Sequence, residues 1–267
     1  MDQFTLTRPA PGYLRATFDH PPMNLLTPDT VGELREVLAE MHDGATRVVV
    51  FDSVNPQFFM ARYDFAATPG SGSPFAGLAE FAAVAQAVAD SPVISIAALR
   101  GRARGGGNEF ALACDMRFAS AENTLLGQPE VGSGLVPAGG GIERLAALVG
   151  RARALEIVVS SDDYDAHTAE QYGWINRAIP DAKLDAFVDT LARRIASFDA
   201  AAVSTAKRLL SRHTLPEVGD LDETIAAVPA VVAAAGPERR AQLRERAQAV
   251  GAAFELNLGH YLAPDPL

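Results

Sequence analysis

The chain has 267 residues, of which 48% are hydrophobic and 21% charged, and its formal net charge at pH 7 is -10. This length and hydrophobic content suffice for one large domain, or one domain with an appendage, and argue against a disordered or fibrous chain. The acidic balance disfavours nucleic-acid binding, which needs basic surfaces to neutralise phosphates.

Residue usage also restricts the compartment. The single cysteine, Cys114, rules out an intrachain disulfide and fits a reducing environment. The first residues lack a basic region followed by an apolar one, so no signal peptide is expected. The most apolar stretch, 78–99, is interrupted by charged residues and a proline, so no membrane span or membrane association is expected. We therefore predict a cytoplasmic protein.

Strand and helix patterns alternate in the first part of the chain. Pro28 directly after Thr27 predicts a helix with a threonine N-cap and proline in its first turn. The three valines at 48–50 predict a strand buried on both faces. The predicted order is a strand at 13–18, a helix from 27 to 41, a strand at 47–51, a helix at 75–89 and a strand at 93–99.

One further cycle follows, and then the pattern is purely helical. The expected elements are a strand from Phe118, a helix at 142–160, a helix end at Gly173 and a short strand that opens at Trp174-Ile175. Beyond them, 184–210 and 239–256 have helical spacing. The alternation predicts an α/β fold, and the remainder predicts an α-helical C-terminal appendage.

Glycines are concentrated at 101–109, between the strand at 93–99 and a helical run from Phe110. Glycines at such a junction let a ligand approach the backbone, and the first free amides of the helix favour an anion or an oxygen that becomes anionic. The segment matches neither a P-loop nor a dinucleotide fingerprint. The alternative interpretation is a tight turn, in which Glu109 is an acid favoured by the helix dipole.

Two other segments could complete a site. Glu130 follows a proline and precedes a glycine-rich stretch, which places it on a rigid loop; the alternative is a solvated surface glutamate. The segment 58–64 follows the valine strand and could supply another backbone amide. Its alternative is a simple loop in which Asp64 caps the next helix.

Four motifs resemble those of the enoyl-CoA hydratase/isomerase (crotonase-like) family. They occur in the family's order and fall within 13–180. They are PPMNLL at 21–26, FMARYD at 59–64, RGRARGGGNEF at 100–110 and GQPEVGSGLVPAGGG at 127–141.

The resemblance implies the roles of four residues. The backbone amides of Tyr63 and Gly106 would form an oxyanion hole for the thioester oxygen. Glu109 and Glu130 would be the catalytic carboxylates that hold one water between them, with Glu109 mainly deprotonating the water and Glu130 mainly protonating the α-carbon. Isomerases of the family typically lack the first glutamate, so hydration of a 2-enoyl-CoA is the leading interpretation.

The resemblance also implies coenzyme A contacts by Met23, Leu25, Ala61 and Arg62. Coenzyme A is then part of an acyl-CoA substrate, and no separate cofactor or metal is expected. Arg62 replaces the family's usual glycine, so it would be strained if that position needed a positive φ; alternatively it could reach the coenzyme's phosphates.

Other positions depart from the family pattern. Ala138 replaces a glycine close to the expected water site. The family's C-terminal Ala-Phe-x-x-Lys-Arg signature is missing, so no coenzyme contact is assigned to the tail. The acyl pocket is expected to involve 65–81.

The resemblance further implies a spiral of ββα repeats at 1–197. A C-terminal helical region at 198–267 would mediate a homotrimer, or a hexamer built from two trimers. The apolar run 225–235 supports a buried role for this region.

Two alternatives to hydration stay open. The same fold could run another reaction through an enolate, such as double-bond isomerisation, decarboxylation or carbon–carbon cleavage. The chain could also be a non-catalytic binding paralogue, although both carboxylates argue against that. A metal site is not expected because the five histidines are scattered and no second cysteine is present.

Overall fold

The structure is a computed structural model that describes residues 1–64 and 76–263. Its strands are β1 Phe4–Ala10, β2 Tyr13–Phe18, β3 Val48–Ser53, β4 Phe58–Met60, β5 Ile94–Leu99, β6 Arg102–Arg104, β7 Met116–Ser120, β8 Leu125–Gly127, β9 Asp163–Asp165 and β10 Arg177–Ile179. Its α-helices are α1 Pro28–Met41, α2 Ala76–Asp90, α3 Gly106–Ala113, α4 Gly141–Val149, α5 Arg151–Ser160, α6 Ala166–Tyr172, α7 Asp181–Ala196, α8 Ala200–Ser211, α9 Val218–Val250, α10 Ala253–Leu256 and α11 Leu258–Leu262.

The strands form two sheets, and the ββα repeats after the first are divided between them. One sheet has the order β1-β2-β3-β5-β7-β10 and the other the order β4-β6-β8-β9. Within a repeat, the first strand joins the larger sheet and the second joins the smaller one, as in β3-β4-α2 and β5-β6-α3. Most neighbours are parallel, and β1/β2 and β8/β9 are antiparallel. The predicted α/β spiral of ββα repeats is therefore confirmed.

Strand β3 of the larger sheet is buried on both faces, as the run of valines predicted. Val48 and Val50 pack in a cluster with Leu184 and Val188 of α7. The alternate residues of β3, Val49 and Phe51, point to the main core, to which helices α1 to α3 contribute apolar side chains. Successive side chains of a strand point to opposite faces, and apolar side chains cover both faces of β3. Residues 48–51 are therefore all apolar and buried.

Several predicted boundaries were wrong for identifiable reasons. The helix expected at 142–160 is two helices, α4 and α5, because Gly150 lies between them with φ +77°. The strand expected at Trp174-Ile175 begins only at Arg177; Trp174 is fully buried and its amide donates to Ala169 O at 2.9 Å, closing α6. β1 and the short β6 were not anticipated.

The helical appendage is confirmed, but its division differs from the expectation. The helix predicted at 184–210 is interrupted after Ala196, and Asp199 caps the start of α8 by accepting from the Ala202 amide at 2.9 Å. The helix predicted at 239–256 begins much earlier, as α9, and bends at Gly236, where φ is +69°.

The end of the chain is fastened to β6 of its own core. Arg104, buried in β6, pairs with Asp163 and donates to Glu255 O at 2.6 Å. Arg102 donates to Leu256 O at 2.8 Å. These bonds hold α10 and α11 close to the junction between β6 and α3. In the part of the chain that the structure describes, no helix is long and apolar enough to cross a bilayer.

Candidate active site

The glycine-rich junction between β6 and α3 forms the floor of the site. Gly105 has φ +48°, and the helix begins at Gly106, so the amide of Gly106 is a first-turn amide without an intrahelical acceptor. The loop 61–64 lies against it: a Cβ on Gly106 would be 3.2 Å from the backbone nitrogen of Tyr63. The structure therefore brings together the two residues predicted to supply an oxyanion hole. The helix begins four residues earlier than Phe110, which puts Glu109 inside it.

Glu109 lies in the first turn of α3 and is 3% exposed. Its Oε1 accepts hydrogen bonds from the amides of Gly139 (2.7 Å) and Gly141 (3.0 Å). Burial raises the pKa of Glu109 to about 7, and the opposing effects of those two amides and of Arg144 are smaller. A carboxyl group with a pKa near neutrality can accept or donate a proton at physiological pH.

Glu130 faces the same cavity from the start of a 3₁₀ turn, Val131–Ser133. Its Oε2 is buried and has no hydrogen-bond partner among the residues that the structure describes. Burial, and then the charge of Glu109, raise the pKa of Glu130 well above its ordinary value. Because an unpartnered carboxylate in such surroundings is costly to ionise, the protonated form is favoured.

Gly105 lets Glu130 reach the junction. A Cβ at Gly105 would lie 2.6 Å from Glu130 Oε1, and the backbone there has the positive φ that side chains disfavour. The first of the three consecutive glycines at 105–107 therefore makes room for the second glutamate, which is far away in the sequence.

A buried polar chain supports the back of the site. Trp174 donates from its indole to Asn108 at 3.0 Å, and the Asn108 amide donates to Gln128 at 2.8 Å. Gln128 Nε2 is buried and has no partner among the described residues. A Cβ on Gly141 would lie 2.3 Å from that nitrogen and 3.0 Å from Glu109 Oε1, so the Gln128 amide lies beside Glu109.

Arg144 fixes the glycine loop that binds Glu109. It is buried at 3% exposure and donates to Gly139 O at 3.0 Å and to Gln86 at 2.7 Å. The amide of Gly139 is the one that donates to Glu109. Sequence reasoning missed Arg144, Gly139 and Gly141 as contributors; the run of glycines at 139–141 was the only available signal.

The residues predicted to bind coenzyme A come from two segments that pair. The amide of Ala61 donates to Asn24 O at 3.0 Å, so Met23 and Leu25 lie alongside Ala61 and Arg62. Asn24 is fully buried with φ +55°, and its side chain bonds β3 and β4, which explains an asparagine at this turn.

Arg62 behaves differently from the expectation of strain. Asn24 and Ser161 are the non-glycine residues with positive φ within 1–64 and 76–263, so Arg62 has no such constraint. Its guanidinium instead forms an ion pair with Glu255 of α10 at 2.6 Å. The arginine therefore ties the loop 61–64 to the C-terminal region.

The carboxylates open on a cavity of about 350 Å³. Most of its wall is apolar, and α9 to α11 of the same chain close one side. Leu78 and Ala138 pack together with Val228 of α9. Of the predicted acyl-pocket stretch 65–81, residues 65–75 lie outside the described residues. The lining residues include Tyr63, Leu78, Gly106, Glu109, Glu130, Leu135, Val136, Ala138, Val228, Arg240, Leu243, Phe254 and Leu258.

The apolar run 225–235 forms part of this wall. Val228 is buried, and Ile225 and Val232 are half-buried beside it, while much of the rest of the run is exposed. Within 1–64 and 76–263, no group of three His, Cys, Asp or Glu side chains is arranged to hold a metal ion.

Comparison with known proteins agrees with this architecture. The profile of the enoyl-CoA hydratase/isomerase family matches residues 11–227. The chain is 31% identical to a short-chain-enoyl-CoA hydratase of Clostridium acetobutylicum over 71% of the chain and 74% of that protein. It is 34% identical to a crotonyl-CoA hydratase of Syntrophomonas wolfei over 69% of the chain and 72% of that protein.

A solved structure resembles the whole chain. It is a Streptomyces avermitilis protein assigned provisionally as an enoyl-CoA hydratase, with 39% identity and a TM-score of 0.88, covering 100% of this chain and 98% of that one. This structural match extends over the spiral, the glutamate-bearing junction and the helical tail. The chain accordingly belongs to the enoyl-CoA hydratase/isomerase family of enzymes.

Proposed function

We propose that the chain adds water syn across the 2,3 double bond of an enoyl-CoA thioester. The observation that carries this proposal is the pair Glu109 and Glu130: two buried carboxyl groups, both with raised pKa, on one cavity. Adding water needs one group that takes a proton and another that gives one. The relatives named short-chain-enoyl-CoA and crotonyl-CoA hydratase support a CoA thioester substrate.

The two roles are divided between the carboxyl groups. Glu109, whose pKa is about 7, acts as the base and removes a proton from water as its oxygen bonds to C3. Glu130, whose pKa is raised well above its ordinary value by burial and then by the charge of Glu109, acts as the acid and protonates C2. One proton then passes from Glu109 to Glu130 and restores the pair, so that one water is consumed per turn of the cycle.

The charge that develops between these steps falls on the thioester oxygen. As the double-bond electrons shift, that oxygen becomes an enolate, and the amides of Tyr63 and Gly106 would donate to it. Each such preorganised donor contributes roughly 10²–10³-fold in rate. The dipole of α3 adds to the effect because Gly106 is its first residue.

The coenzyme would lie along the paired segments that carry Met23, Leu25, Ala61 and Arg62. Their pairing gives a continuous surface beside the oxyanion loop, which supports the assignment. Arg62 would reach a coenzyme phosphate only by releasing Glu255, so its ion pair with the phosphate would replace the one with Glu255.

The proposal extends to assembly and location. A homotrimer or hexamer is supported by exposed apolar side chains on α4 and α8, including Leu148 and Leu210. The division into a core at 1–197 and an assembly region at 198–267 is part of this proposal. A cytoplasmic location is supported by the single, buried Cys114.

The test compares Glu109→Gln, Glu130→Gln and the double variant on crotonyl-CoA, followed by loss of the enoyl absorbance. Each single variant should lose roughly 10²–10⁴-fold in turnover while thioester binding persists. The double variant should be little worse than either, because the residues act on one water as a unit. Glu170→Gln, on the exposed surface of α6, is the matched control and should leave turnover unchanged.

The pattern of losses distinguishes the alternatives. Loss confined to Glu130→Gln, with a shifted double bond among the products, would indicate isomerisation in place of hydration. Unchanged turnover in Glu130→Gln would contradict both enolate mechanisms.

A further inference from the structure

Arg240 of α9 is half-buried and lines the cavity that holds Glu109 and Glu130. One terminal guanidinium nitrogen of Arg240 is buried and has no hydrogen-bond partner among the described residues. No described carboxylate lies within ion-pair distance of it, although Glu109, Glu130 and Glu255 line the same cavity. A buried guanidinium nitrogen with an unused donor is costly, which suggests that a ligand supplies the acceptor.

The segment of α9 that carries Arg240 is held in place by contacts with the loop that follows Glu130. The preceding residue, Arg239, donates to Gly132 O at 2.9 Å. Just before the bend at Gly236, a Cβ on Gly134 would lie 2.9 Å from the Cβ of Ala235. Both contacts place this stretch of helix on the loop that follows Glu130.

Arg240 shares its cavity with the two carboxylates. The same cavity is lined by apolar side chains such as Leu135, Val136 and Leu243, which suit an acyl chain. The proposed coenzyme surface lies at Arg62, which the ion pair with Glu255 joins to a different part of the tail.

We infer that Arg240 forms an anion subsite for a carboxylate at the far end of the acyl group, so that the preferred substrates are enoyl thioesters of dicarboxylic acids. The guanidinium donates to the terminal carboxylate while the double bond lies at Glu109 and Glu130. A charge-assisted hydrogen bond in a partly desolvated site is strong enough to select such substrates. Arg244, one turn further along α9, lines the same cavity and adds positive charge.

This inference deepens the proposed function and depends on it for the position of the double bond. Its test uses matched pairs of CoA thioesters of five to eight acyl carbons, such as 2-hexenoyl-CoA and 2-hexenedioyl-CoA, which differ only in the terminal group. The wild-type enzyme should favour the dicarboxylic member of at least one pair by tenfold or more in kcat/KM.

The variants Arg240→Gln and Arg240→Met should remove that preference, lowering kcat/KM for the acidic substrate by roughly 10–100-fold. Their effect on the neutral substrate should stay within about threefold, because an apolar chain needs no anion partner. Arg240→Lys should retain part of the preference. Arg151→Gln, which replaces an exposed arginine of α5, is the matched control.

Folding of the variants can be checked separately by thermal unfolding. Because Arg240 makes no hydrogen bond with a described residue through its buried nitrogen, its replacement should not lower Tm. Calorimetry with hexanoyl-CoA and adipyl-CoA, which cannot be hydrated, gives the same comparison without turnover.

The outcomes separate the inference from the proposed function. Arg240-dependent binding of adipyl-CoA without any hydration would uphold the inference and overturn the proposed reaction. Hydration with no preference for acidic substrates would uphold the proposed reaction and overturn the inference. If Arg240 contacts a coenzyme phosphate, Arg240→Gln would raise KM equally for neutral and acidic CoA thioesters but not for pantetheine thioesters, and the inference would be wrong.

Discussion

Glu109 shows how a single residue relates function to stability. Its carboxyl group is buried in a cavity where two backbone amides and Arg144 only partly offset the loss of hydration. The group that is suited to proton transfer is therefore one that the folded state holds at a cost. The same reasoning applies to Glu130, which has a buried oxygen without a partner among the described residues.

The free-energy cost of burying the Glu109 carboxylate predicts that Glu109→Gln gains stability relative to the wild type as pH rises. The pKa of Glu109 is about 7 in the folded protein and 4.5 in the reference state. Below the lower value the group is neutral in both states and costs nothing. As pH rises towards 7 the unfolded chain ionises first, so the native state loses stability, and above 7 the loss is complete.

We expect the unfolding free energy of Glu109→Gln, relative to the wild type, to rise by about 2 kcal/mol between pH 5 and pH 8. Chemical denaturation at several pH values measures this difference. Glu170→Gln, on the exposed surface of α6, should show no such trend. A difference that shrinks as pH rises would mean that Glu109 is ionised more readily in the folded state than its burial implies.

At the scale of elements, the site depends on how closely α3 approaches β4. A Cβ on Gly107 would lie 1.9 Å from the carbonyl oxygen of Met60, a backbone atom that cannot turn aside. The glycines of the junction therefore serve two purposes: Gly105 accommodates Glu130, and Gly107 allows the helix to pack on the strand that leads to the loop 61–64.

Gly107→Ala should accordingly lower the unfolding free energy by about 1–3 kcal/mol, as expected for overpacking, and should also reduce turnover. Gly32→Ala is the matched control, because Gly32 lies inside α1 with no atom within 4 Å of a Cβ added there. That change should stabilise the protein by about 0.5–1 kcal/mol through helix propensity. Equal effects of the two substitutions on unfolding would contradict the close packing of α3.

At the scale of the whole molecule, the distribution of exposed apolar side chains bears on assembly. Leu148, Phe198 and Leu210 border a groove of about 510 Å³ and are 41%, 46% and 68% exposed. Clustered apolar side chains of this size on a surface commonly mark contacts with another protein.

We expect multi-angle light scattering at micromolar concentration to give three or six times the chain mass of 28.2 kDa. Leu210→Glu should reduce the mass if this groove lies in the interface. Val54→Glu, at a site 57% exposed and far from the groove in the sequence, is the control and should leave the mass unchanged. A monomer in the wild-type protein would contradict the proposed assembly.

Much of the architecture followed from local patterns. The valine strand, the threonine-capped helix at Pro28 and the glycine end of α6 at Gly173 are encoded by neighbouring residues, and all three were predicted. Glu109 and Glu130 could also be identified from the sequence as candidates, because each lies in a glycine-rich segment. Glycines there indicate a turn or a close approach of the backbone. Boundaries failed where burial overrode spacing, as at Trp174.

The tertiary structure alone decided how these parts act together. Neither the hydrogen bonds from Gly139 and Gly141 to Glu109 nor the contact of Gly105 with Glu130 is visible locally, because each joins residues more than 20 positions apart. The partner of Arg62 was equally hidden, since Glu255 reaches it only after α9 has crossed the cavity. Spacing along the chain determines the elements, whereas the pKa of a carboxyl group and the unused donor of Arg240 depend on what long-range packing places around them.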